Sequence, residues 1–271
     1  MKKIIALVLV TVMSLLAFAG CGGNNTDSDV NADADNAKKI IVAEEGSAGE
    51  TVAKTLEGYE FTAVDTQNKA LMEVKSGTAD AAIVDYVLSI GSIGEGTDFA
   101  ELKVNGDGYS PESYGIAFRK GSDVTNKVNE AIKTIKDNGK LNEIAKKYKL
   151  NDLITATDSF DAFKQSEEDS DWEYIKNKGE LIIGITYFAP MNYLDENGNL
   201  VGFETEFATA VCEELGVTPK FVEINWKTKE TELNGKTIDC IWNGMTIDAD
   251  RQATMSITIP YMQNKQVMIT K

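Results

Sequence analysis

The residues best equipped for chemistry in this chain fall in three short turns. In CIWNGMTIDADR, Cys240 to Arg251, an apolar strand runs into Asn243 and Gly244, then Thr246, then Arg251. The small residues permit close backbone approach, the hydroxyl can donate, and a guanidinium grips a carboxylate with two parallel bonds. Arg251 can equally pair with Asp248 or Asp250, and spacing does not choose between these. In GSAGE, Ser47 and Glu50 fit a capping box. The alternative is that the Ser47 hydroxyl and the free backbone N–H groups of that turn accept an anion. In IVDY, Asp85 closes an apolar strand, where its carboxylate could receive an ammonium group or cap the next helix. An anion clamp and a carboxylate are together what an α-amino acid requires.

Several chemistries are excluded by composition. The sequence contains no histidine, so serine–histidine and cysteine–histidine nucleophile pairs and histidine metal sites are absent. No catalytic residue, cofactor or metal is expected. The net charge of −16 argues against nucleic acid and against a basic membrane-binding patch. Cys212 and Cys240 both fall on apolar faces, which favours two buried thiols over a disulfide.

The positioning elements alternate strand and helix from Lys38 onward, which predicts an α/β fold. TQNKALMEVKSG reads as a helix with Ala70, Leu71 and Val74 on one face. SDVTNKVNEAIKTIKDNG reads as another, capped by Ser122, with Val124, Val128, Ala131, Ile132 and Ile135 as its stripe. ETEFATAVCEELG has the stripe Phe207, Ala208, Val211, Cys212 and Leu215, closed by Gly216. Pro111 falls in a polar loop between two strands, and residues 151–170 read as a linker, partly ordered at most.

Ahead of this lies a basic pair, Lys2 and Lys3, an apolar run from Ile4 to Leu16, and small residues before Cys21. The pattern predicts a signal peptide over residues 1–20. Its Ala-Gly-Cys ending resembles the lipobox of bacterial lipoproteins, with Phe18 in place of the usual leucine. The resemblance implies lipidation of Cys21 and anchoring by several acyl chains. Residues 21–38 are small, polar and acidic, as in a flexible tether.

The runs LIIGITYFAPMNYLDENGNLVGFETEFATAVCEELG, NGMTIDADR and PYMQNKQVMITK resemble the first lobe of polar amino-acid solute-binding proteins of ABC importers. Residues 39–150, with IIVAEEGSAGE, KALMEVKSGTADAAIVDY and SYGIAFRKGSD, resemble the remainder of the same family. The resemblance implies a two-lobed type 2 periplasmic-binding-protein fold in circularly permuted order. Residues 39–113 would form the small lobe, and 119–150 with 171–262 the large one. Residues 114–118 and 263–271 would be hinge strands, and the linker 151–170 would join the family's usual termini.

Carried over, the resemblance assigns Arg251, Thr246, Ser47 and Ala48 to the ligand carboxylate. Asp85, with Gly244 and Asn243, would hold the ammonium. Phe188, Trp242, Glu44 and Tyr86 would surround the side chain, with core packing the alternative for Phe188 and Trp242. Ala48 stands where many members have threonine. TYFAP supplies no acid where many have one, which argues against specificity for basic amino acids. The implied function is a monomeric, lipid-anchored receptor on the extracellular face that hands a polar amino acid to ABC permease subunits. Two rivals remain: a sensor without transport, and a dehydratase of small carboxylic acids with Glu44 as its acid–base group.

Overall fold

Short apolar runs become strands here because both of their faces are covered. The computed structural model describes residues 38–109, 111–155 and 170–271; the signal, Cys21, most of the tether and most of the linker lie outside them. The first elements are β1 (Lys39–Glu44), α1 (Ala48–Ala53), β2 (Tyr59–Val64), α2 (Gln67–Ser76), β3 (Ala81–Asp85), α3 (Tyr86–Ser92) and β4 (Lys103–Asn105). β5 (Pro111–Arg119), α4 (Val124–Asp137) and α5 (Lys140–Lys147) follow. Then come α6 (Asp171–Lys178), β6 (Glu180–Ile185), β7 (Tyr193–Leu194), β8 (Leu200–Val201), α7 (Phe203–Leu215) and β9 (Thr218–Glu223). α8 (Lys229–Asn234), β10 (Cys240–Thr246), α9 (Ala249–Thr254), β11 (Met255–Ile257) and β12 (Met262–Thr270) complete the order.

The main sheet runs β2-β1-β3-β12-β5-β10-β6-β9, with β4 beside β12 and β11 beside β5. β2, β1 and β3 are mutually parallel, and so are β10, β6 and β9. Two antiparallel strands join these halves. β12 pairs with β5 through Met262–Lys265 and with β3 through Gln266–Ile269. This is the mixed α/β architecture expected from the strand–helix alternation.

Helix faces follow the sequence periodicity. Ala70, Leu71 and Val74 of α2 are buried, Thr66 Oγ1 caps it by accepting from Lys69 N at 3.0 Å, and Gly77 ends it at φ 83°. The α4 stripe is buried as expected, but its start is not: Asp123, not Ser122, occupies the cap position, with no side-chain cap bond. Asp123 Oδ1 instead accepts from Trp172 N at 2.8 Å, tying α6 to α4. Pro111 opens β5 rather than lying in a loop; a first strand position tolerates the missing N–H. The start of the linker is also ordered, since Thr155 N donates to Tyr261 O at 3.0 Å. Cys212 and Cys240 are buried free thiols.

Candidate functional site

The two half-sheets face each other across a narrow cavity. One wall carries Glu44, Ser47, Ala48, Gln67 and Asp85; the other carries Trp226, Asn243, Gly244, Thr246 and Arg251. The β1–α1 turn crosses to the opposite half, where Gly46 O accepts from Lys229 Nζ at 3.1 Å and from Arg251 Nη2 at 3.3 Å. Lys227 and Glu45 add an ion pair of 2.7 Å beside it.

Ser47 serves as a cap while lying on the cavity wall. Its Oγ accepts from Glu50 N at 3.1 Å, and Glu50 Oε2 accepts from Gly46 N at 2.5 Å, one residue before the N–H that a capping box would use. Accepting one bond leaves the hydroxyl proton available, and the Ala48 N–H, at the first helical position, has no intrahelical acceptor.

Asp85 stands at the start of α3 but makes no side-chain cap bond. Its Oδ1 accepts from Asn264 Nδ2 at 2.7 Å and Gln266 Nε2 at 2.6 Å, while Oδ2 accepts from Gln67 Nε2. Burial raises this carboxyl above the usual range, against the amide bonds that favour its anion. Three neutral donors orient the carboxylate without cancelling its charge.

Arg251 combines an ion pair with a place on the cavity wall. It pairs with Asp248 at 3.3 Å, yet it is buried on the cavity wall and donates from Nη1 to Thr246 O at 2.8 Å. The Thr246 hydroxyl donates to Glu112 Oε2 at 2.5 Å, so it must rotate to serve a ligand carboxylate. Asn243 uses its side-chain amide on Thr186, accepting from Oγ1 at 2.5 Å and donating to the carbonyl at 2.9 Å.

Gly244 lies in an irregularity of β10 between Ile241 and Met245, at φ 53°. A Cβ there would stand 3.0 Å from Phe188 Cζ, so glycine is needed for both conformation and space. The Gly244 N–H donates to Glu204 Oε1 at 2.8 Å. Glu204 also accepts from Tyr261 Oη and, at 2.9 Å, from Asn192 Nδ2.

The aromatic wall differs from the expectation. Trp242 is fully buried and meets Phe207 edge to face at 5.1 Å, because strand alternation sends its side chain toward α7. Phe188 lies behind Gly244, and Tyr86 packs against the core with Lys265 Nζ 5.1 Å from its ring. None of the three is on the cavity wall. The aromatic there is Trp226, which sequence reasoning missed along with Gln67, Asn264, Gln266, Glu204 and Lys229. Its signal was an indole just past the end of β9, where α/β sheets place ligand contacts.

Buried charge gives the site a distinctive acid–base profile. Burial, reinforced by the Asp85 charge, pushes the Glu44 carboxyl from 4.5 up to about 8, and burial pushes Glu204 up to about 7. Burial and the Arg251 charge push Lys229 from 10.5 down to about 8. The folded chain therefore holds protons on Glu44 and Glu204 that the unfolded chain has released above pH 4.5. Stability should fall as pH rises from about 5 toward 7–8, at up to roughly 1.4 kcal/mol per pH unit for each group. The cost of burying charged Lys229 is full below pH 8 and fades as pH climbs toward 10.5. Thermal melts of the ligand-free protein should therefore show a decline between pH 5 and 7.5; a steady rise over that range would contradict it.

Residues 181–271 match the model of the bacterial extracellular solute-binding proteins, family 3. The arginine-binding extracellular protein ArtP of Bacillus subtilis (strain 168) is 30% identical over 125 residues, covering 45% of this chain and 49% of that protein. The L-arginine-binding protein of Pseudomonas aeruginosa is 35% identical over 97 residues, covering 34% of this chain and 38% of that protein. The chain thus spans about half the length, or less, of these curated relatives. Among solved structures, the arginine-bound form of domain 1 from TmArgBP is 33% identical, covering 35% of this chain and 82% of that one, with a TM-score of 0.32. Over residues 181–271 the chain is thus similar to the bacterial extracellular solute-binding proteins, family 3.

Proposed function

We propose that this protein captures a polar amino acid between two lobes and presents it to the permease of an ABC importer. The observation that carries the reading is a small buried cavity with Arg251 on one wall and Asp85 on the other. A zwitterionic amino acid spans such a pair, carboxylate to guanidinium and ammonium to carboxylate. Both bonds form fully only when the walls approach, so the ligand selects the closed state. In this reading residues 39–113 are one lobe, 119–150 with 171–262 the other, and 114–118 with 263–271 are the hinges. The lobe order is permuted relative to the family, with residues 151–170 joining its usual termini. Lipidation at Cys21 holds the receptor at the extracellular face of the membrane.

A thermal-shift screen against the common amino acids tests this, because a ligand that binds only the folded form raises its melting temperature. For the amino acid found, Asp85→Asn is expected to weaken binding by about 10–100-fold. The asparagine keeps an oxygen for Gln67, Asn264 and Gln266 but removes the charge. Equal affinity by calorimetry would remove Asp85 from the ammonium site.

A further inference from the structure

Glu44, at the end of β1, carries an unspent carboxyl. It is 3% exposed and lines the cavity, and its Oε1 is buried without a hydrogen-bond partner. A buried acceptor left unpaired is costly, and such groups in native proteins need a reason. The neighbouring cations do not supply one. Lys229 Nζ donates to the carbonyls of Gly46 and Trp226. Arg251 donates to the carbonyls of Thr246 and Gly46 and pairs with Asp248. Glu44 is thus the one acid on the cavity wall, besides Asp85, that a ligand can reach.

We propose that Glu44 is the specificity-determining residue of this site, selecting an amino acid whose side chain ends in a cation. This rests on the amino-acid reading: Arg251 and Asp85 take the α-carboxylate and α-ammonium, so the side chain is what remains for Glu44. An ammonium or guanidinium there forms a charge-assisted bond to Oε1. An acidic side chain would meet Glu44 and Asp85 with like charge, and an apolar one would leave Oε1 unpaired.

The test is calorimetry on the full mature chain with L-arginine, L-lysine, L-ornithine, L-glutamine and L-glutamate, for wild type and Glu44→Gln. A cationic ligand should bind wild type about 10–100-fold tighter than L-glutamine, and Glu44→Gln should erase most of that gap. At pH 7 the carboxyl of the empty site is largely protonated, so binding a cation should also release a proton. That release is measured by repeating the titration in buffers of different ionisation enthalpy. The groups facing Glu44, namely Asp85 from β3, Lys229 from α8 and Arg251 from α9, are present in both proteins. A release lost in Glu44→Gln therefore belongs to Glu44. Tighter binding of L-glutamine by wild type, or an unchanged preference in Glu44→Gln, overturns this inference and leaves amino-acid capture standing. Failure of wild type to bind any amino acid overturns both. The wild-type ligand series stands without the variant, should that fold poorly.

Discussion

Arg251→Ala is expected to abolish measurable amino-acid binding while leaving the chain folded. In the structure the guanidinium already engages Asp248, Thr246 O and Gly46 O, which locks its plane against the cavity. Each Nη nitrogen retains a second N–H, so a two-pronged bond to a carboxylate needs no rearrangement. Two charge-assisted bonds at about 1.5–3 kcal/mol each correspond to roughly 10²–10⁴-fold in affinity. The stability loss should be smaller, since the acceptors released are carbonyls near the cleft and a carboxylate that is 42% exposed. Arg251→Lys separates charge from geometry: it keeps the cation, loses the fork, and should still lose at least about tenfold. Calorimetry on both variants, with a melting curve as the folding control, decides it. An affinity for Arg251→Ala within threefold of wild type would place the carboxylate elsewhere.

Glu204→Ala is expected to produce the largest loss of stability from a single polar substitution near the site. Glu204 lies in the first turn of α7, 1% exposed, and accepts bonds from Gly244 N, Tyr261 Oη and Asn192 Nδ2. Alanine would leave three buried donors unpaired and a void beside Tyr261. A cost of about 3–5 kcal/mol follows, or roughly 10 °C in melting temperature for a chain of this size. Glu204→Gln should cost much less, because it keeps one oxygen for Gly244 and Tyr261. Ligand affinity should fall in the alanine variant as well, since Glu204 holds the irregularity that shapes Gly244. Urea unfolding of the two variants tests this; a midpoint for Glu204→Ala equal to wild type would show that the network carries no load.

The α/β class, the helix stripes and several caps were legible because they depend on neighbours a few residues away. Ala70, Leu71 and Val74, or Val128, Ile132 and Ile135, share a face by the pitch of the helix alone, whatever they pack against. Ser122 misled for the opposite reason: the choice between it and Asp123 turned on a contact with Trp172, 49 residues beyond Asp123. The polar turns containing Ser47, Asp85, Thr246 and Arg251 were also visible in the sequence, since residue type and position past a strand end carry their chemistry.

What these turns do depends on tertiary structure. The Asp85 carboxylate is oriented by Asn264 and Gln266, 179 and 181 residues away, and no local pattern encodes that pairing. For Trp242 a ligand wall and core packing both stood open until strand direction sent it toward α7, while Trp226, not singled out in the sequence, lies on the cavity wall. Glu204 went unremarked in the sequence, since an acid in a helix's first turn is ordinary, and only packing against β10 makes it the acceptor for Gly244. The sequence by itself determined which segments are strands and helices and which turns carry an acid, a hydroxyl or a guanidinium, because backbone preference and side-chain chemistry are local. Tertiary structure decided which of those groups meet across the cleft, which are spent on one another and which remain for a ligand. Burial and hydrogen-bond competition act between residues far apart in the chain.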